Sequence, residues 1–480
     1  MGRILLITLL CLLGNCNIAV AQGKLPNFIL IFTDDQGYQD IGCFGSPNIR
    51  TPHLDKLARE GMRLTSFYAQ PICGPSRTAL MTGCYPLRVA ECGNRKNIHP
   101  VVHAEEITIA EILQTQGYAS ACIGKWDMAG HSNYEFQPDL LPAHQGFNLH
   151  FGPPTSNDSR EKTPLLRNGK VVELPTDFST LTERYTAEAI KFIEAHQEQP
   201  FFVYVPHTMP HTQLDASERF KGKSIRGLYG DVIEEIDDSV GQIVDRLEAL
   251  DLAQNTYLLF TSDNGPWLIK NKEFRQGIGT DDHGGSALPL RSGKVSTWEG
   301  GVRVPAIVWA PGRVPAGTSC GKIVRTLDIL PTFAALAETH PPADRTIDGR
   351  DVSDLLHGVP DAESPSNQFF YYLHTHLQAV RDGPWKLHLP RESRPHHLER
   401  LRPDLHVHAS DVLAISEPIL FNLEIDIGEQ HNLADRHPDV VQRLLELAES
   451  ARYDIGDYDR VGHGARFFDP GKHRLEMNAR

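Results

Sequence analysis

Beyond its first residues the chain has no apolar run approaching the ~20 residues that a bilayer crossing needs, so no membrane span is predicted. Cysteine is scarce, with eight in 480 residues. Cys11 and Cys16 fall in the N-terminal stretch; Cys43, Cys73, Cys84, Cys92, Cys122 and Cys320 remain, irregularly spaced. That excludes a disulfide scaffold and leaves room for one or two bridges, Cys84 with Cys92 being the nearest pair. Basic charge is also short: 47 Lys and Arg against 61 Asp and Glu give a net charge of -14. A sequence-independent nucleic-acid binder needs a basic face, so nucleic acid is excluded as a partner. An acidic surface also repels polyanions, so a sulfated or phosphorylated ligand must be held by a local cluster of Arg, Lys and His or by a metal.

What is present is the composition of a globular enzyme, 40% hydrophobic and 22% charged, long enough for one large domain and a smaller one. The opening "MGRILLITLLCLLGNCNIAVAQG" has a positive Arg3, an apolar run Ile4–Leu13 and a small-x-small site Ala19-Val20-Ala21. It reads as a signal peptide over residues 1–21, cleaved near Gln22, which predicts export to the periplasm or the exterior. Lipidation at Cys16 is the alternative, against which Asn15 stands.

Short, almost wholly apolar runs at Asn27–Phe32, Phe201–Val205, Thr256–Thr261 and Ala306–Ala310 read as strands buried on both faces. Amphipathic stretches lie between them, among them "TPHLDKLAREG" and "DVIEEIDDSVGQIVDRLEALD". This alternation predicts an α/β fold, a large mostly parallel sheet sandwiched by helices, over residues 24–363. From Ser364 to residue 480 the pattern changes to a smaller C-terminal α+β domain with an antiparallel sheet. There "FFYYLHTHLQAVRDGPWKLHL" reads as two strands around an Asp-Gly-Pro turn, followed by a strand in "LFNL" and a helix in "PDVVQRLLELAESARY". The His/Arg-rich segment Pro390–His408 reads as a loop.

Two of the buried strands stop on oxygen-bearing residues followed by glycine: Asp34-Asp35 after "ILIFT" and Asp263-Asn264 after "LLFTS". In parallel sheets ligands sit beyond the carboxyl ends of strands. Such residues suit a hard divalent cation, Ca²⁺ over Mg²⁺ where several protein oxygens bind directly; they equally suit turns and helix N-caps. His207 and His211 in "HTMPH" are spaced as a helical zinc pair, but Pro210 and the preceding strand favour a loop at a strand end. In "QPICGPSRTALMTG", Cys73 opens a helix-like run with Arg77 one turn on. A thiol there shifts toward thiolate, unless it is simply a buried cysteine.

The run "CGPSRTALMTG" resembles the modification signature of the type I sulfatases, whose cysteine is converted to formylglycine. "TDDQG", "GKW", "PHTMPH", "SDNGP", "RSGKVSTWEGGVRVPAI" and "LFNLEIDIGEQHNLA" resemble the arylsulfatase A-like branch of the alkaline phosphatase superfamily, in the expected order. The resemblance covers essentially the whole mature chain. It implies sulfate monoester hydrolysis through a sulfo-enzyme intermediate, with one Ca²⁺ held by Asp34, Asp35, Asp263, Asn264 and the modified Cys73. The aldehyde hydrate carries two hydroxyls: one attacks sulfur while the metal and Arg77 stabilise its alkoxide, and the other expels the sulfate. Lys125 and Lys294 match sulfate-binding lysines, and Lys294 or His211 would protonate the leaving oxygen, a lysine needing a lowered pKa to do so. Ser156, His207 and His131 match or flank substrate-side positions.

One position departs from the pattern. "GKWDMAGH" puts Asp127 where the family usually has a histidine against the formylglycine hydroxyl. A carboxylate there can act as base, with His131 moving in, or can repel the sulfate. Asp127 leaves standing a weakly active or non-catalytic binder of sulfated glycans; a phosphate ester hydrolase of the same superfamily is a separate alternative. The expected partners are a sulfated carbohydrate or aryl sulfate, and a formylglycine-generating enzyme during maturation. The pocket walls are expected from loops around Glu91–His99, Asn133–Asn157 and Trp267–Leu290, and from His374 and His376.

Overall fold

A computed structural model of the chain describes residues 24–89, 102–130, 136–268, 284–392 and 414–466. The predicted leader, Cys92, His131, the loop Glu91–His99 and most of Pro390–His408 lie outside the described residues.

The apolar runs form the strands they suggest. The large sheet has 11 strands: β1 (Asn27–Thr33), β2 (Met62–Tyr68), β3 (Ala119–Ile123), β4 (Leu149–Gly152), β5 (Leu165–Arg167), β6 (Lys170–Glu173), β7 (Phe201–Pro206), β8 (Thr256–Ser262), β9 (Arg303–Trp309), β10 (Thr318–Cys320) and β11 (Val324–Arg325). Its order is β10-β2-β9-β8-β1-β7-β3-β4-β5-β6, with β11 also on β2. The central block β8-β1-β7-β3-β4 is parallel. Among the described residues the antiparallel pairs flank that block, at β2–β9, β8–β9, β4–β5 and β5–β6.

Both faces of the central strands are covered, which is why their sequences are apolar without alternation. On β1, Phe28, Leu30 and Phe32 point into one core and Ile29 and Ile31 into the other. The first core is closed by helices α2 (Cys73–Thr82) and α5 (Ile329–Leu336), where Phe333 stacks on Phe28 with centroids 4.3 Å apart. The second is closed by α1 (Pro52–Glu60), α3 (Leu181–Ala195) and α4 (Leu228–Ala249). Each wholly buried Phe, Ile or Leu contributes about 1.5–3 kcal/mol. Among the described residues no helix is long and apolar enough to cross a membrane.

A second, antiparallel sheet follows, β12 (Gln368–Leu373), β13 (His376–Asp382), β14 (Trp385–His388) and β15 (Ile419–Asn422), in that order, with α6 (Pro438–Asp454) packed across it. Where the sequence suggests two strands around the Asp-Gly-Pro turn, there are three. Leu373 and His376 pair across an extra tight turn with His374 at φ 55, which no glycine or proline announces. The core beneath this sheet also takes in Tyr68, Ala79, Tyr85 and Val302, so the two sheets share apolar contacts.

Candidate active site

Four neighbouring parallel strands end at one place. β1 delivers Asp34 and Asp35, β8 Asp263 and Asn264, β7 His207 and His211, and β3 Lys125. Thr33 lies in register with Ser262. The crossover backbone is tied down: Asp263 N–H donates to the Thr33 carbonyl at 3.0 Å, Asp35 N–H to Asp263 Oδ1 at 3.2 Å, and Lys125 N–H to the Pro206 carbonyl at 2.7 Å. This is the strand-end geometry in which open α/β sheets place ligands.

Cys73 is the first residue of α2, a helix buried along its whole length and closed by Gly83 at φ 67. Its Sγ lies 3.3 Å from Asp34 Oδ1 and 2.9 Å from Lys294 Nζ. Burial, with Asp34 alongside, pushes the thiol well up from its ordinary value, the opposite of the thiolate shift that a helix start and Arg77 suggest. Arg77, for its part, does not face the sulfur as a free cation. Its guanidinium donates to Asp263 Oδ2 at 2.8 Å and to the Lys125 carbonyl at 2.8 Å, and lies 3.3 Å from Asp34.

Three cations, Arg77, Lys125 and Lys294, and four carboxylates, Asp34, Asp35, Asp127 and Asp263, interlock here in the buried interior. Lys125 Nζ is 2.6 Å from Asp34 and 3.6 Å from Asp127, and Lys294 Nζ is 2.6 Å from Asp35. Burial works against the charge of each lysine, but Asp34 beside Lys125 and Asp35 beside Lys294 hold both ammonium pKa values up. The lowered lysine pKa expected for an acid is thus reversed by the adjacent carboxylates. Burial would raise Asp34, yet Lys125, His211, Arg77 and Lys294 hold it well below the usual range; Asp263, pressed by burial and by Asp34, rises to about 7.

A family model described as sulfatase matches residues 26–339, and one described as the C-terminal region of aryl-sulfatase matches residues 364–466. The chain belongs to the sulfatase family. The N-acetylgalactosamine-6-sulfatase of Canis lupus familiaris is 35% identical over 472 residues, covering 90% of this chain and 86% of that protein. Human arylsulfatase A is 34% identical over 471 residues, covering 89% and 88%. Among solved structures, the PsFucS1 sulfatase from Pseudoalteromonas matches with a TM-score of 0.75 at 26% identity, covering 89% of this chain and 90% of that one. A Bacteroides thetaiotaomicron protein from a study of glycosaminoglycan metabolism matches with a TM-score of 0.74 at 28% identity, covering 89% and 99%. The protein is therefore a sulfuric ester hydrolase, an arylsulfatase-like member of the alkaline phosphatase superfamily, with the large mixed sheet and the C-terminal antiparallel sheet of its structural neighbours.

Sulfatases generally use a metal ion and a formylglycine, and the donor set of this sulfatase fits a hard cation. Ligand atoms of Asp34, Asp35, Cys73 and His211 lie within 4.8 Å of one another, all buried. Asp35 Oδ2 and Asn264 Oδ1 are buried acceptors with no hydrogen-bond partner among the described residues, as oxygens awaiting a cation would be.

His211 joins that cluster instead of standing apart from it. Its Nδ1 meets the Thr212 carbonyl, so this nitrogen carries the proton and Nε2 is the acceptor in the neutral ring. Nε2 lies 3.7 Å from Asp35 and 3.6 Å from Asp158, and burial together with Lys294 lowers its pKa. Asp158 in turn accepts from Ser156 Oγ at 2.9 Å. His207 is wholly buried, its ring 6.1 Å from that of Tyr185, and burial brings its pKa down to about 4.

Sequence reasoning missed one neighbour of this site. Asp158 follows Ser156 by two residues but reads as an ordinary loop acid. Trp267, which opens one of the expected wall loops, lies with its ring centroid 5.4 Å from Lys294 Nζ and packs on Ile72, Val295 and Leu373.

Proposed function

We propose that this sulfatase hydrolyses sulfate monoesters on a sulfated carbohydrate, using a formylglycine derived from Cys73 and one Ca²⁺. The observation that carries this reading is the setting of residue 73, at the start of a buried helix and within reach of Lys294, Asp34 and Asp35. Asp34, Asp35, Asp263 and Asn264 with residue 73 would hold the cation, and the unpartnered oxygens of Asp35 and Asn264 support that set. When present, the aldehyde hydrate supplies two hydroxyls on one carbon, one to take the sulfuryl group and one to expel the sulfate, while the cation neutralises charge on the sulfate oxygens.

The chain's own residues do the rest. Lys125 and Lys294 stay protonated and bind sulfate oxygens; Arg77 holds Asp34 and Asp263 in place and adds positive charge behind residue 73. Lys294 or His211 protonates the leaving oxygen: Lys294 keeps its proton beside Asp35, at a raised pKa that weakens it as an acid, and His211 has Nδ1 engaged and a lowered pKa. Asp127, 3.6 Å from Lys125, takes the proton whose removal lets the sulfate go. Ser156 and His207 line the substrate side.

The carbohydrate preference is supported by relatives named N-acetylgalactosamine-6-sulfatase and by a structural neighbour, Ps i-CgsB, solved with a neocarrahexaose. The leader over residues 1–21 supports export, with conversion of Cys73 by a formylglycine-generating enzyme on the way. The division into a catalytic unit, 24–363, and a smaller unit, 364–480, belongs to the same proposal.

The test has two parts. Mass spectrometry of the tryptic peptide Leu64–Arg77, from protein coexpressed with a formylglycine-generating enzyme, should show the lighter aldehyde at residue 73. The converted enzyme should then release sulfate from a sulfated-glycan panel and hydrolyse an aryl sulfate far faster than the matching aryl phosphate. A cysteine left as thiol beside a converted control sulfatase, or a preference for phosphate, would reject the proposal.

A further inference from the structure

Lys294 stands on a loop that Gly300 N–H closes onto the Arg291 carbonyl and Ser296 Oγ onto the Gly293 carbonyl, each at 2.8 Å, yet whose path includes strained backbone. Ser292 and Val295 both lie in the left-handed region, each at φ 64. A β-branched residue there is an outlier that persists only where its surroundings over-determine it.

Those surroundings come from both sheets. On the side of the large sheet, Lys294 N–H donates to the Pro266 carbonyl and Val295 N–H to the Pro71 carbonyl, each at 2.9 Å. On the side of the C-terminal sheet, Thr297 Oγ1 donates to Gln378 Oε1 on β13 at 3.0 Å. Glu299 N–H, at the loop's end, donates to the Glu429 carboxylate at 2.7 Å, and Arg291, at its start, donates to the Glu429 carbonyl at 3.2 Å. One residue of the C-terminal unit thus grips both ends of the loop. Glu429 is itself anchored: wholly buried, it takes Lys386 Nζ at 2.8 Å and His388 Nε2 at 2.9 Å from β14. The His388 ring also packs against Trp298, with centroids 4.1 Å apart.

We infer that Gln378 and Glu429 are positioning residues: they clamp the Arg291–Glu299 loop in its left-handed path and so keep the Lys294 ammonium against residue 73. This rests on the reading that Lys294 and residue 73 form the reacting pair. It gives the second sheet a part in the chemistry without contact with the sulfate. Loosening the clamp leaves other substrate-holding loops in place, so the loss falls on kcat more than on KM.

Two variants test it, Glu429→Gln, which keeps the shape and drops the charge, and Gln378→Met, which keeps the bulk and drops the acceptor. Hydrogen exchange across residues 291–302 should quicken by about tenfold or more in each. On an aryl sulfate kcat should fall by about tenfold while KM moves less than about threefold. Adding Ser292→Gly, which removes the cost of the left-handed φ, should return most of the lost kcat. Gln378→Met keeps the test decisive if Glu429→Gln fails to fold. Native exchange and native kcat in Gln378→Met, or a fall in kcat that Ser292→Gly leaves untouched, overturns the inference. Quickened exchange in a protein whose wild type cleaves no sulfate ester supports the clamp and instead refutes the reaction assigned to the site.

Discussion

Lys294 Nζ and Cys73 Sγ, 221 residues apart in the chain, meet at 2.9 Å. The lysine is also 2.6 Å from Asp35, so it joins Cys73 to a carboxylate of the metal-type cluster. A buried ammonium in this place acts on whatever negative charge develops at residue 73 or on a sulfate beside it.

Lys294→Ala should therefore lower kcat on an aryl sulfate by about 10²–10³, the cost of one preorganised charge donor in a dry site. Lys294→Arg should recover little, because a planar fork does not replace a point charge in this space. Steady-state kinetics on fully converted enzyme decides it; a variant within a few-fold of wild type would remove Lys294 from the reaction.

Divalent cation should stabilise the fold as well as support activity. With Asp35 Oδ2 and Asn264 Oδ1 unpartnered, a bound ion satisfies both, and binding to the native state alone raises stability with concentration. Melting temperature should rise with added Ca²⁺ and fall with a chelator, and Asp35→Asn should flatten that dependence. A chelator-treated protein that melts at the same temperature as the Ca²⁺-loaded one would count against the site.

Asp127 should matter to sulfate release. Asp127→Ala should slow turnover by about tenfold or more, a typical loss for a proton-transfer group, and Asp127→His should keep more activity than Asp127→Ala. Equal rates in wild type and both variants would show that the position carries no chemistry.

Stability should fall with pH through one buried carboxyl far from the reaction. Glu235 on α4 accepts from Ser217 N–H at 3.1 Å, and burial pushes its pKa up from 4.5 to about 7. The folded chain thus holds a proton there that the unfolded chain has lost. The stabilisation is complete below about pH 4.5 and is lost as pH rises through about 7. Glu235→Gln should remove this slope, so its stability relative to wild type should climb from pH 5 to pH 8, by on the order of 2 kcal/mol. Denaturant titrations at both values settle the point; a constant difference would show that Glu235 titrates normally.

The apolar runs at Asn27–Phe32, Phe201–Val205 and Thr256–Thr261 were legible as strands because burial on both faces leaves no polar alternation in the sequence. The turn at His374 was hidden, since a histidine in the left-handed region carries no signal of its own. Asp158 was equally hidden, because its nearness to His211 arises from two loops brought together, not from any spacing along the chain.

Local pattern and the motif around Cys73 were enough to determine the class of fold and the family, because each is written in short contiguous stretches. Only the tertiary structure decided the electrostatics. It turned Arg77 toward Asp34 and Asp263, raised the Cys73 thiol instead of lowering it, kept Lys125 and Lys294 charged, and set Glu429, in the loop after β15, on the loop that carries Lys294. Charge states in a dry interior depend on which groups face one another across a few ångströms, and that is settled by packing between segments hundreds of residues apart.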